Sequence, residues 1–313
     1  NNNNNLKLDA DLHLNENKLF DFRFDNIYSS ISLSYEDSEY KIFAKGNIKK
    51  WEFGNYDWES IDFSTNFENS KISDINIVAK SQYEDELKFK IESNKDNYFV
   101  SHFDGILKDN LFSFKPFYIK SLDDKYHFPN LKMRLNKGYL DISGDYYKNN
   151  IYNIIGNCKN INIDDIYNII GKKLNINGKI VEGEFKIENM NHSKEYSPIL
   201  LTKIKLESGS FDDIEYDLIT LSSSYRNNRL LIDDLFIRTP LGSINGYGWC
   251  NINILNNKLF KNNDNFNLDF NFKNFDIEKI NKYLPWEKNS YGLLNGSIGI
   301  YGNYENLNIK SNI

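Results

Sequence analysis

The chain has 313 residues, a net charge of −6, 40% hydrophobic and 15% aromatic content, and a mean hydropathy of −0.60. That acidic balance supplies no basic field for a phosphate backbone, which excludes a general nucleic-acid binder. No run of about 18 apolar residues occurs, so no transmembrane helix is expected within this span.

The first residues, Asn1 to Asn5, carry neither an initiator methionine nor the apolar core of a signal peptide. The expectation is an internal piece of a longer protein whose anchors lie outside it. Period-two alternation then begins at once. Leu6, Leu8, Ala10, Leu12 and Leu14 share one parity, and Phe20, Phe22 and Phe24 follow a turn expected at Asn15 to Lys18. In a strand, successive side chains point to opposite faces, so such runs define an apolar and a wet face. Ile31, Leu33 and Tyr35 continue the pattern, then Tyr40, Ile42 and Ala44; Ile61, Phe63 and Phe67; Ile75, Ile77 and Ala79; and Leu87, Phe89 and Ile91. The breaks between them are short and rich in Asn, Asp, Ser and Gly, the composition of hairpin turns. Such short loops predict an antiparallel meander, because parallel crossovers need far longer connections.

The middle of the chain repeats the alternation in Phe117 and Ile119, in Leu131, Met133 and Leu135, in Leu140 and Ile142, and in Ile161 and Ile163. A short helix is predicted over 164–171, with Ile166, Ile169 and Ile170 on one side and Gly171 as its C-terminal cap. Strand patterns return at Leu174 and Ile176, Phe185 and Ile187, Ile204 and Leu206, Ile219 and Leu221, Leu230 and Ile232, and Ile252 and Ile254. The last unit is the clearest. Phe266, Leu268, Phe270 and Phe272 alternate with Asn267, Asp269, Asn271 and Lys273. Asp276 then reads as the N-cap of a second short helix over 276–284, which Pro285 ends. A glycine-punctuated strand with Gly292, Gly296, Gly299 and Gly302 follows, and Ile309 belongs to a further strand.

Two stretches match. Lys159-Asn160-Ile161-Asn162-Ile163-Asp164 to Asn177-Gly178 parallels Lys273-Asn274-Phe275-Asp276-Ile277-Glu278 to Asn295-Gly296. A related strand pair lies upstream of each, Leu131 to Tyr146 and Leu235 to Trp249. This long, loose repeat suggests an extendable β assembly in three segments: 1–130, a first copy over 131–234 and a second over 235–313.

The stretch from Phe266 to Ile309 combines a strand, a D-I-x-x-I helix, a Leu-Pro pair, the glycines Gly292, Gly296 and Gly302, and an N-L-x-I strand. In this it resembles the repeating core of the AsmA-like/TamB superfamily of bacterial envelope proteins. The copy from Lys159 to Ile187 is similar, with Asn177, Gly178 and Gly183 but no Leu-Pro pair. The resemblance implies an all-β fold: an elongated antiparallel sheet curled into a U-shaped, taco-like hydrophobic groove, with the two short helices. It implies a passive conduit for phospholipid acyl chains between inner and outer membranes, tied to outer-membrane assembly. It further implies a periplasmic location, an inner-membrane anchor in the full-length protein, and a TamA-type outer-membrane barrel as partner.

A sheet with one apolar face must bury it against something, and two short helices cannot cover about twenty strands. The face can close on itself, pair in a sandwich, or curl around lipid. In the last case the lining comprises Leu12, Leu14, Phe20, Phe22, Phe24, Ile42, Phe63, Ile77, Phe89, Leu131, Met133, Leu135, Ile142, Ile161 and Ile163. It continues through Phe185, Ile187, Ile204, Leu206, Leu230, Ile232, Ile252, Ile254, Phe266, Leu268, Phe270, Phe272 and Ile309.

Motifs for chemistry are absent. The histidines His13, His102, His127 and His192 share no ligand spacing, so neither metal nor cofactor is expected. The acidic doublets Asp123-Asp124, Asp164-Asp165, Asp212-Asp213 and Asp233-Asp234 suit turns and caps better than general acid–base pairs. Cys158 and Cys250 stand alone and read as small buried hydrophobes. The chain is therefore expected not to be an enzyme. Two other readings remain open: a surface adhesin or structural β repeat, and a β-rich carbohydrate-active enzyme using Trp51, Trp58, Trp249 or Trp286 as sugar platforms.

Overall fold

The structure, a computed structural model, describes residues 6–19, 22–36, 39–53, 56–69, 71–82, 84–94, 97–147, 152–170, 175–189, 199–212, 214–252, 265–276, 278, 291–303 and 305–312. Its strands are β1 (Leu6–Leu19), β2 (Phe22–Glu36), β3 (Glu39–Phe53), β4 (Tyr56–Glu68), β5 (Lys71–Ser81), β6 (Glu86–Asn94) and β7 (Asn97–Leu107). They continue as β8 (Asn110–Phe114), β9 (Phe117–Ser121), β10 (Lys125–Leu135), β11 (Gly138–Tyr147), β12 (Tyr152–Asn162) and β13 (Lys179–Asn189). The rest are β14 (Ile199–Phe211), β15 (Ile214–Arg226), β16 (Arg229–Thr239), β17 (Gly242–Asn251), β18 (Phe266–Asp276), β19 (Leu293–Gly302) and β20 (Leu307–Asn312). All 20 belong to one antiparallel sheet, and α1 (Ile163–Ile170) interrupts the series between β12 and β13. The chain divides into two compact units, residues 1–145 with 165–173, and residues 146–164 with 174–313.

In the first unit β1 to β8 pair each with the next in sequence, β8 and β9 both lie between β7 and β10, and the register stacks residues of one parity into rows across the sheet. One row runs Leu8, Leu33, Ile42, Phe67; the next Ala10, Ile31, Ala44, Thr65, Ile75, Ile91, Val100, Phe117. A third holds Leu12, Ser29, Gly46, Phe63, Ile77, Phe89 and Phe103, and a fourth Leu14, Ile27, Ile48, Ile61, Ala79, Leu87, Gly105, Phe112 and Leu135. Directly opposed side chains share a face, so these rows form one apolar surface. Its two register shifts on the β4–β5 pair and one on β6–β7 leave the apolar parity intact.

The run from β8 to β9 is one strand broken by chemistry. Val100 faces Phe117 and Asp104 faces Ser113 in the same frame on β7, and Met133 faces Phe114 and Tyr126 faces Ser121 in one frame on β10. Lys115 and Pro116 separate the two pieces, and proline has no N–H to donate to a ladder.

The second unit repeats the arrangement. Ile187, Leu200, Tyr225, Leu230, Cys250 and Phe266 form one row; Gly156, Phe185, Thr202, Ser223, Ile232, Gly248, Leu268, Ile300 and Ile309 another. Cys158, Gly183, Ile204, Leu221, Leu235, Gly246, Phe270 and Ile298 form a third, and Ile161, Ile180, Leu206, Ile219, Ile237, Ile244 and Phe272 a fourth. The repeat is visible in the backbone as well as the letters. Asn160 and Asn274, at matching positions of the two copies, both adopt a φ of 56, and each precedes a buried apolar residue, Ile161 and Phe275. Asparagine tolerates this left-handed conformation better than other non-glycine residues.

Two expectations need correcting. The turn expected at Asn15 to Lys18 is strand: Asn15 pairs with Asn26, Asn17 with Phe24 and Lys18 with Arg23. Continuous pairing with β2 overrides the local turn preference of asparagine. The first helix begins at Ile163, one residue before the predicted start. The second predicted helix and the Gly171 cap lie outside the described residues; Asp276 ends β18, and its Oδ1 accepts the Glu278 N–H at 3.1 Å.

Candidate functional site

The extended apolar face of each unit is the candidate site. In the first unit Leu12, Leu14, Ile42, Phe63, Ile77, Phe89 and Leu135 occupy the rows described above, and Met133 faces Phe114 where β10 pairs with β8. Leu131 precedes Met133 by two in β10, and Ile142 is a half-buried residue of β11. Phe22 and Phe24 belong to β2, opposite Leu19 and Asn17, and Phe20 lies outside the described residues. In the second unit Ile161, Phe185, Ile187, Ile204, Leu206, Leu230, Ile232, Phe266, Leu268, Phe270, Phe272 and Ile309 stand in the rows. Ile252 is buried just beyond β17, Ile163 heads α1, and Ile254 lies outside the described residues.

Coverage of this face is incomplete. Among the described residues Tyr225 and Leu135 are the largest fully buried side chains. Most row members are half-buried, and Leu12 is 44% and Ile309 63% exposed. One end does close over: Tyr225, Cys250 and Ile252 pack with Leu200, Leu230 and Phe266, and the Tyr225 hydroxyl donates to Ile252 O at 3.3 Å.

A feature that the sequence reading missed recurs along the rows. Glycine stands directly opposite an aromatic residue at Gly46 and Phe63, Gly105 and Phe112, Gly156 and Phe185, and Gly246 and Phe270. Each ring folds over its glycine: a Cβ on Gly46 would lie 2.7 Å from Phe63 Cζ, and one on Gly246 2.8 Å from Phe270 Cδ1. The ring thereby shields backbone that glycine leaves bare, a known way of supporting glycine in a sheet. Each pair is 7 to 29 residues apart in the chain, a separation no alternation pattern reveals.

The opposite face is wet and carries ion pairs, across strands between Lys41 and Glu68 at 3.5 Å and along β6 between Lys88 and Glu86 at 2.7 Å. The hydrogen bond from Lys88 holds the Glu86 carboxyl below its usual range. These exposed pairs contribute little stability, but they fix which face meets water.

The histidines, acidic doublets, cysteines and tryptophans among the described residues are dispersed. His13 stacks on Tyr28 with 4.3 Å between centroids, and His127 Nδ1 lies 2.7 Å from Asp145 Oδ1; His192 lies outside the described residues. Asp164 and Asp165 occupy the first turn of α1, where negative charge suits the helix dipole. Asp123 and Asp124 form a turn, Asp233 and Asp234 lie at a register shift in β16, and Asp212 is in a turn whose Asp213 is outside the described residues. Cys158 is half-buried and Cys250 buried. Trp51 and Trp58 face each other across β3 and β4, Trp249 carries Arg229 over its ring at 4.3 Å, and Trp286 is outside the described residues. Among the described residues no helix is long and apolar enough to cross a membrane. No family model, curated protein or solved structure matches the chain.

Proposed function

We propose that the apolar face holds the acyl chains of phospholipid, the sheet curling into a groove lined by its rows, and that the chain is a passive conduit for lipid between membranes. The observation that carries this reading is the run of apolar rows crossing strand after strand on a face left half-covered. Burying a methylene is worth about 0.8 kcal/mol, so an acyl chain of about sixteen carbons gains on the order of 10 kcal/mol on leaving water. A bilayer offers the same gain, so exchange between bilayer and groove is close to neutral and a continuous lining lets lipid slide. The resemblance of Phe266 to Ile309 to the AsmA-like/TamB superfamily supports the same reading, with a periplasmic setting, an inner-membrane anchor and a TamA-type barrel as partner.

The test is mass spectrometry of the purified chain for bound phospholipid, with Phe270→Asp on the apolar face and Asn271→Asp on the wet face. Phe270→Asp should strip lipid more than it lowers Tm, and Asn271→Asp should keep its lipid. A folded, lipid-free chain, or a Phe270→Asp variant that merely unfolds, would sink the reading in favour of a closed core.

A further inference from the structure

Four cations gather in one depression on the wet face of the first unit. Lys115, Lys132, Arg134 and Lys137 line a cavity of about 540 Å³ together with Ser113, Tyr139 and Asp141. Four positive charges against one negative give a local +3 (4 − 1), in a chain whose net charge is −6. None of the four forms an ion pair among the described residues. Lys115 donates its backbone N–H to Lys132 O at 2.9 Å, which sets the two lysines directly opposite one another. Like charges so placed repel and weaken a sheet. An arrangement that costs stability without a partner is the pattern of a binding site rather than of a scaffold.

The cations are also held in position. Arg134 Nε donates to Asn136 O at 3.0 Å, which orients the guanidinium and leaves its terminal N–H groups free for a ligand. The turn that bears Lys137 is clamped in turn. Asn136 N–H donates to Leu111 O at 2.8 Å, its Oδ1 accepts Leu111 N–H at 2.9 Å, and its Nδ2 donates to Asn110 Oδ1 at 2.9 Å. Asn110, itself buried, donates to Lys108 O at 2.8 Å.

We propose that this pocket binds a phosphomonoester, either the headgroup of a lipid such as phosphatidic acid or a small soluble molecule. A phosphomonoester carries about −1.5 to −2 charge and several strong acceptor oxygens, which suits three ammonium groups around one planar fork. The hydroxyls of Ser113 and Tyr139 supply further donors. Phe114 and Met133, which alternate with the cations along their strands, also border the cavity, but the assignment rests on the four charges and not on the acyl-chain reading.

The test titrates the full chain with glycerol 3-phosphate by calorimetry, and with phosphatidylcholine vesicles with and without phosphatidic acid by flotation. The variant Lys132→Gln with Arg134→Gln should weaken binding by at least about tenfold, and Lys137→Gln by less. Lys45→Gln, elsewhere on the wet face, should leave it unchanged. With repulsion relieved, the Tm of Lys132→Gln should stay level or rise. Response to both ligands supports the shared chemistry, and response to phosphatidic acid vesicles alone assigns the pocket to a lipid headgroup. No saturable response to either, or equal loss in the Lys45→Gln control, overturns the proposal.

Discussion

The ring of Phe185 lies across Gly156, its direct partner on the neighbouring strand, with Cζ only 2.2 Å from where a Cβ on that glycine would stand. The pair begins an apolar row in which Thr202 is the next partner of Phe185, so an added methyl must displace the ring. Gly156→Ala should therefore cost about 1 to 3 kcal/mol through overpacking. Thermal melts check the loss, and adding Phe185→Leu should recover much of it. Equal destabilisation with and without the second change would show that the ring is not the cause.

Asn274 tests the repeat. Its φ of 56 is tolerable for asparagine or glycine and strained for a β-branched residue. Asn274→Gly should lie within about 0.5 kcal/mol of the parent, whereas Asn274→Val should lose about 1 to 2 kcal/mol. Asn160→Gly and Asn160→Val should show the same order in urea unfolding.

Tyr225 anchors the closed end of the second unit. Its hydroxyl reaches Asn228 Oδ1 at 3.0 Å as well as Ile252 O. Tyr225→Phe keeps the ring and removes both bonds, for an expected loss of about 1 kcal/mol. Tyr225→Ala also empties the core cluster and should cost about 3 to 5 kcal/mol. Comparison of the two melts separates hydrogen bonding from packing.

Burial pushes the Cys158 thiol above its ordinary value of 9.0. The thiolate is the reactive form, so alkylation of the folded chain in a Cys250→Ser background should be slow at neutral pH. The rate should climb at higher pH than it does in denaturant. Sign follows from linkage: the folded state holds its proton longer, so this group's contribution is constant below the ordinary thiol range and lost as pH rises through it.

Much of the strand pattern was legible in the residues. Alternation at Phe266, Leu268, Phe270 and Phe272 places all four on the apolar side of β18. What escaped was decided at long range. Asn15 to Lys18 has the letters of a turn, yet a partner strand extends β1 through it. The glycine-over-ring pairs depend on register, which alternation leaves undetermined by any even shift. The basic pocket was masked by averaging: a net charge of −6 hides four cations that alternate pleating and one hairpin bring to a single spot.

Because the strands of each unit bond to their neighbours in sequence, tension applied along the chain would load the ladder one rung at a time rather than shear many rungs together. Such a sheet yields by peeling. Its grip on neighbouring strands is gentle, reversible and divided into small steps, so a single-molecule pull should record a staircase of low-force releases in place of one abrupt rupture.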